Sequence, residues 1–173
     1  MARRPTPSVK DYLSELQIQC IGLITAEWAH LEATVSIAIW EYCDLEREQG
    51  LCVTADLSSL NKINILGALT KLHFTSDDPV ANEISEIVKR MEKLNTERNN
   101  IVHNLWGQNA MAGKILSNKT STRSAKLTQR LLSYTDEELM ELVQSIEIAI
   151  GDLYHFLDAH VPGWRSGKPR PKK

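Results

Sequence analysis

Apolar residues recur at Leu13, Leu16, Cys20, Ile24, Trp28, Leu31, Val35, Ala38 and Tyr42, every step being three or four residues. That spacing is one continuous helical stripe, and it commits the first part of the chain to helix. Ile21, Leu23, Ile37 and Ile39 widen the stripe, so the segment is expected to be buried on more than one side. Gly22 within it marks a bend or a close approach to another helix. One long helix or two stacked ones fit the pattern equally well. Gln49 and Gly50 are read as the stop that follows.

A second helix, capped by Ser58 or Ser59, carries Leu60, Ile63, Leu66, Leu69 and Leu72. The third announces itself with Asp77-Asp78-Pro79, an acidic cap followed by proline at the first helical position, where its missing N–H costs nothing. Its apolar members run from Val80 through Ile84, Ile87, Val88, Met91, Leu94, Ile101 and Val102 to Leu105. The fourth opens with the capping box Thr135-x-x-Glu138 and continues to a stop near His160, before Pro162 and Gly163.

Between the third and fourth helices lies GQNAMAGKILSNKTSTRSAKLTQRLLSY, too long for a tight turn and rich in Gly, Ser, Thr, Asn and Lys. Short strands around 114–116 and 127–132 fit this stretch. The fold class expected is therefore all-α: a four- to five-helix up-and-down bundle with a loop or short β-hairpin excursion between the third and fourth main helices. A length of 173 residues suits a single domain, placed at 11–162 between a basic arm at 1–10 and a basic tail at 163–173.

The formal charge of −2 hides a segregation, because all 22 acidic residues lie from Asp11 to Asp158. The ends are basic, and residues 107–134 carry Lys114, Lys119, Arg123, Lys126 and Arg130 with no acid among them. Residues 135–160 are the reverse, with acids and no Lys or Arg. Basic segments of this kind bind polyanions through phosphate contacts, and they also serve simply as solvated arms. Cys20, Cys43 and Cys52 are odd in number and lack CxxC spacing, and the amino terminus lacks an apolar signal core, so a reducing, cytoplasmic setting is expected. No window approaches the apolar length of a membrane span, and no membrane association is expected.

The segment ERNNIVHNLW, residues 97–106, places Arg98 and His103 five positions apart. By spacing alone this is an arginine paired with a nearby acid and a histidine with a hydrogen-bonded ring. Two features argue for more. Asn95, Asn99, Asn100 and Asn104 crowd a helix that would otherwise avoid them, and an all-basic stretch begins soon after Leu105 and Trp106.

ERNNIVHNLW resembles the signature of the HEPN domain family, an arginine followed by a polar residue and then, after four to six residues, a histidine. Arg98, Asn99 and His103 match it with four residues between the arginine and the histidine. The surrounding pattern agrees, since the motif lies late in the third helix of a helical bundle and AEWAHLEATVSIAIWEY precedes it. The resemblance implies a bundle that commonly dimerises and, in active members, a metal-independent ribonuclease of toxin or defence type. Residues five apart on an α-helix diverge by about 140°. Arg98 and His103 are therefore expected to point apart, and a two-fold homodimer is expected to bring both pairs to a shared cleft.

The implied reaction is attack of a ribose 2′-OH on the adjacent phosphorus. His103, an imidazole of the kind that titrates near neutrality, would move a proton, and Arg98 would meet the phosphate oxygens. Asn99 would orient substrate or hold His103, and Glu97 and Asn104 are possible supporting groups. Lys114, Lys119, Arg123, Lys126 and Arg130 are candidates for gripping the RNA backbone. The partners expected are RNA, a second copy of the chain and an antitoxin or other regulatory protein. The alternative is a non-catalytic bundle that binds protein or nucleotide.

No cofactor is implied. There is no HExxH, GxxxxGK[ST] or GxSxG and no paired Cys/His spacing, so no metal site is expected. Trp28, Trp40 and the Tyr42 region read as core or dimer packing.

Overall fold

The computed structural model describes residues 8–75, 77–103, 105–107, 115–121, 128–161 and 164. Five α-helices occur in the order α1 (Glu15–Tyr42), α2 (Arg47–Thr54), α3 (Ser59–His73), α4 (Pro79–Val102) and α5 (Asp136–His160). Strands β1 (Leu105–Gly107), β2 (Ile115–Ser121) and β3 (Thr128–Tyr134) lie between α4 and α5. The architecture is the expected all-α bundle with a β excursion in the expected place.

The long stripe forms one helix rather than two, and Leu13, Cys20, Ile24, Trp28, Leu31, Val35 and Ala38 are all buried. The residues that widen it are only partly covered: Ile39 is buried and Ile21 and Ile37 are half-buried, but Leu23 stays 48% exposed. Nor is Gly22 a point of close approach, since a Cβ built there meets nothing within 4 Å.

The stop expected at Gln49-Gly50 is instead a helix of its own, eight residues long. Both residues lie inside α2, where the Glu46 N–H donates to Gln49 Oε1 at 3.0 Å. Gly50 is there for want of a side chain: a Cβ would stand 2.4 Å from two ring carbons of Trp40. The Trp40 indole N–H donates to Thr54 Oγ1 at 3.1 Å, and that hydroxyl donates to the Gly50 carbonyl at 2.8 Å.

The other helix starts follow the capping chemistry. Ser58, not Ser59, caps α3 by accepting from the Asn61 N–H at 3.3 Å. Asp78 accepts from the Val80 N–H at 2.8 Å, with Pro79 opening α4. At α5 the Thr135 N–H donates to Glu138 Oε2 at 2.7 Å while the Glu138 N–H donates to Thr135 Oγ1 at 3.1 Å.

The chain divides into two compact units, and α1, α4 and α5 each contribute to both. The unit made of Glu27–Asn95 and Ser145–Lys173 holds Trp28, Leu31, Ile84, Met91, Ile146, Leu153 and Phe156 in its core. There α1 and α3 run in the same direction. Trp28 Nε1 donates to Ser59 Oγ at 3.2 Å, Lys62 Nζ to Glu32 Oε1 at 2.7 Å, and the Tyr42 and His73 rings meet edge-on at 4.9 Å. Lys62 is only 8% exposed, so its charge depends on Glu32. In the same unit α4 runs against α5, with Glu83 3.5 Å from His160 and Arg90 paired with Asp152.

The unit made of Met1–Ala26 and Thr96–Gln144 is built on Leu13, Cys20, Ile24, Ile101, Leu139 and Leu142. Gln17 Nε2 donates to Asp136 Oδ1 at 2.7 Å within it. Its sheet is antiparallel in the order β1-β2-β3, with Trp106 opposite Ser117 and Ser117 opposite Leu132. The strands expected near 114–116 and 127–132 correspond to β2 and β3. Leu105 and Trp106, read as the last helical residues, are instead strand residues of β1, because α4 ends at Val102. No helix among the described residues is long and apolar enough to cross a membrane.

Candidate active site

Arg98 and Asn99 lie on the last turns of α4, both half-buried, and Ile101 beside them is fully buried in the core of their unit. His103 stands one residue beyond the helix and is exposed. Its backbone N–H still reaches back to the Asn99 carbonyl at 3.3 Å, but its ring is no longer bound to the helical azimuth.

Arg98 Nη1 lies 2.8 Å from His103 Nε2 and donates to Asn99 Oδ1 at 2.9 Å. One terminal guanidinium nitrogen carries two N–H groups, so each contact takes one of them. This overturns the expected 140° divergence of an α-helix. The angle holds for two helical residues, whereas His103 has left the helix and its side chain folds back. A single chain therefore brings the arginine and the histidine together, and the divergence no longer argues for a shared cleft.

A guanidinium donates and does not accept, which fixes the direction of the contact. As the acceptor of that bond His103 Nε2 presents its lone pair, which corresponds to the tautomer with its proton on Nδ1. Asn99 touches Arg98, which makes it a residue that positions the cation. Glu97 is half-buried on α4.

Asn104, Lys114, Arg123 and Lys126 lie outside the described residues. Lys119 and Arg130 are on described strands and share a rung of the β2–β3 ladder. Trp106 and Tyr134, half-buried in the same unit, meet with ring centroids 6.2 Å apart.

Cys20 is not a competing nucleophile, because burial and then the Asp136 carboxylate push its thiol up. Burial also pushes the Tyr42 phenol up to about 12. Among the described residues no three His, Cys, Asp or Glu side chains group as a metal site.

A polar cluster in the other unit has no signature in the chain. Tyr154 Oη lies 2.8 Å from His30 Nε2, and Glu27 Oε2 lies 3.8 Å from His30 Nδ1. His30 and Tyr154 are 124 positions apart, so spacing had no means of pairing them.

No protein-family model matches this chain, and no curated protein or solved structure matches it either.

Proposed function

We propose that this protein is a metal-independent endoribonuclease that cleaves RNA by 2′-OH attack, a toxin or defence protein of HEPN type acting in the cytoplasm. The observation that supports the reading most is the 2.8 Å approach of Arg98 Nη1 to His103 Nε2 within one chain. A phosphate-seeking cation and a proton-transferring ring stand at one place, which is what the reaction needs.

In the reaction, O2′ bonds to phosphorus as its proton passes to His103 Nε2. The P–O5′ bond breaks and O5′ takes a proton from water, to which His103 returns the one it accepted, leaving a 2′,3′-cyclic phosphate and a free 5′-OH. Arg98 meets the charge that builds on the phosphate oxygens. Asn99 keeps the guanidinium in place.

Lys119 and Arg130, which pair across the β2–β3 ladder, supply part of the proposed grip on an RNA backbone. Lys114, Arg123 and Lys126 belong to the same proposed grip. A homodimer and a restraining regulatory protein complete the reading. They rest on the family resemblance, and light scattering tests the dimer.

A second reading, a non-catalytic module that binds protein or nucleotide, is favoured by one feature. The imidazole lone pair that a base requires is the one Arg98 occupies. The two readings separate on incubation of the protein with labelled tRNA and a structured mRNA in EDTA. Cleavage by wild type, with loss of about 10²- to 10⁴-fold in His103→Ala, supports the nuclease. Intact RNA with a folded protein supports the binding module.

A further inference from the structure

We propose that the Arg98–His103 hydrogen bond is a resting latch, opened when a phosphate oxyanion takes over the guanidinium. The inference builds on the reading of this pair as a phosphodiester site. At Nη1 the arginine is closed on its own neighbours. Both N–H groups of Arg98 Nη1 are engaged, by Asn99 Oδ1 at 2.9 Å and His103 Nε2 at 2.8 Å. The Nε2 lone pair is thereby taken, and it is the lone pair that must receive the proton of a 2′-OH.

The imidazole is a neutral acceptor, and a phosphate oxygen is a charged one. The guanidinium–imidazole bond has an ionised donor alone, whereas with phosphate both partners are ionised and the contact is often bidentate. A phosphodiester whose oxygen takes the Nη1 donor therefore displaces the ring from Arg98. The geometry lets this happen without moving the fold. His103 lies past the end of α4 and is exposed, so its ring turns freely. Asn99 is on the helix and retains the other N–H, so the guanidinium stays where the phosphate meets it. The substrate's own phosphate then creates the base that attacks beside it. Without a phosphate at Arg98, His103 has no lone pair to offer.

The test is nitrogen NMR on protein labelled with ¹⁵N-histidine, at about pH 8 where an ordinary imidazole is neutral. The five histidines are distinguished by loss of one signal pair in His103→Gln. The probes are inorganic phosphate and a 2′-O-methyl dinucleotide, which has no free hydroxyl to attack. Wild type is expected to show the Nδ1–H form of His103. Its Nε2 signal is expected to move, on adding either probe, toward the position it holds in Arg98→Ala with no probe present. Arg98→Lys, which keeps the charge and the stem, serves if Arg98→Ala does not give a folded amide spectrum, and its His103 signal must also differ from wild type. Two results overturn the latch: a His103 signal that ignores substitution of Arg98, and one that responds to substitution but not to either probe. The nuclease reading fails separately. A latch that opens in a protein that cuts no RNA sinks the enzyme and keeps the latch, whereas cleavage with an unmoved His103 does the reverse.

Discussion

Replacing Gly50 by alanine is expected to destabilise the protein, although alanine is the better helix former. In an exposed helix the change would gain roughly 1 kcal/mol from reduced unfolded-state freedom and higher propensity. At Gly50 the new methyl would stand 2.4, 2.4 and 2.6 Å from three ring carbons of Trp40, all inside contact distance. Relief requires the indole to shift, and forcing an extra methyl into a packed site costs about 1–3 kcal/mol. The shift also breaks the indole bond to Thr54, a residue only 2% exposed, at about 1 kcal/mol more. The balance is a net loss of about 1–3 kcal/mol, which lowers the melting temperature by roughly 2–4 °C per kcal/mol for a chain of this size. Urea unfolding followed by circular dichroism and Trp fluorescence measures it. A Gly50→Ala protein as stable as wild type, or more so, would refute the packing of Trp40 against α2.

Asn99→Ala removes the bond that holds Arg98 Nη1, and a charged hydrogen bond of this kind predicts a roughly 10-fold fall in RNA cleavage, smaller than that of Arg98→Ala. Glu32→Gln leaves Lys62, 8% exposed, with its charge uncompensated. The expected loss is about 2–3 kcal/mol by thermal melts, below the cost of fully buried pairs because Glu32 is partly solvated. Tyr42 has a buried hydroxyl with no hydrogen-bond partner among the described residues, so Tyr42→Phe should be neutral or stabilising by about 1 kcal/mol. The folded protein holds that phenol proton more tightly than the unfolded chain does. Stability from it is therefore full below the ordinary value near 10 and lost as pH rises to about 12. Ultraviolet titration should show one late tyrosine that is missing from the variant.

The helices were legible because their signals are local. The Leu13–Tyr42 stripe, the Asp78-Pro79 start and the Thr135–Glu138 box each depend on residues within a turn or two, and each formed where the spacing placed it. What escaped depended on distance in the chain or on shape. Gly50 looked like a stop, since nothing near it in sequence announces that the Trp40 ring needs its missing side chain. Leu105 and Trp106 continued an apolar helical period, but pairing with Asn118 and Ser117 took them into a strand. At the site the three matching residues were found, whereas their geometry was inverted. The sequence said that Arg98 and His103 are five apart, and only the position of the helix end says whether five residues mean opposite faces or contact.

That helix end has a consequence for how the pair can be lost. Arg98 and His103 meet because α4 stops at Val102, so the terminus behaves as a hinge whose location sets their reach. Substitutions that lengthen α4 by one more turn would carry the imidazole round to the far azimuth and separate the two groups with neither of them altered. The motif is then a measure of how far beyond a rigid rod the histidine stands. Disabling changes are to be looked for among residues that hold the rod's length as well as among the two that touch.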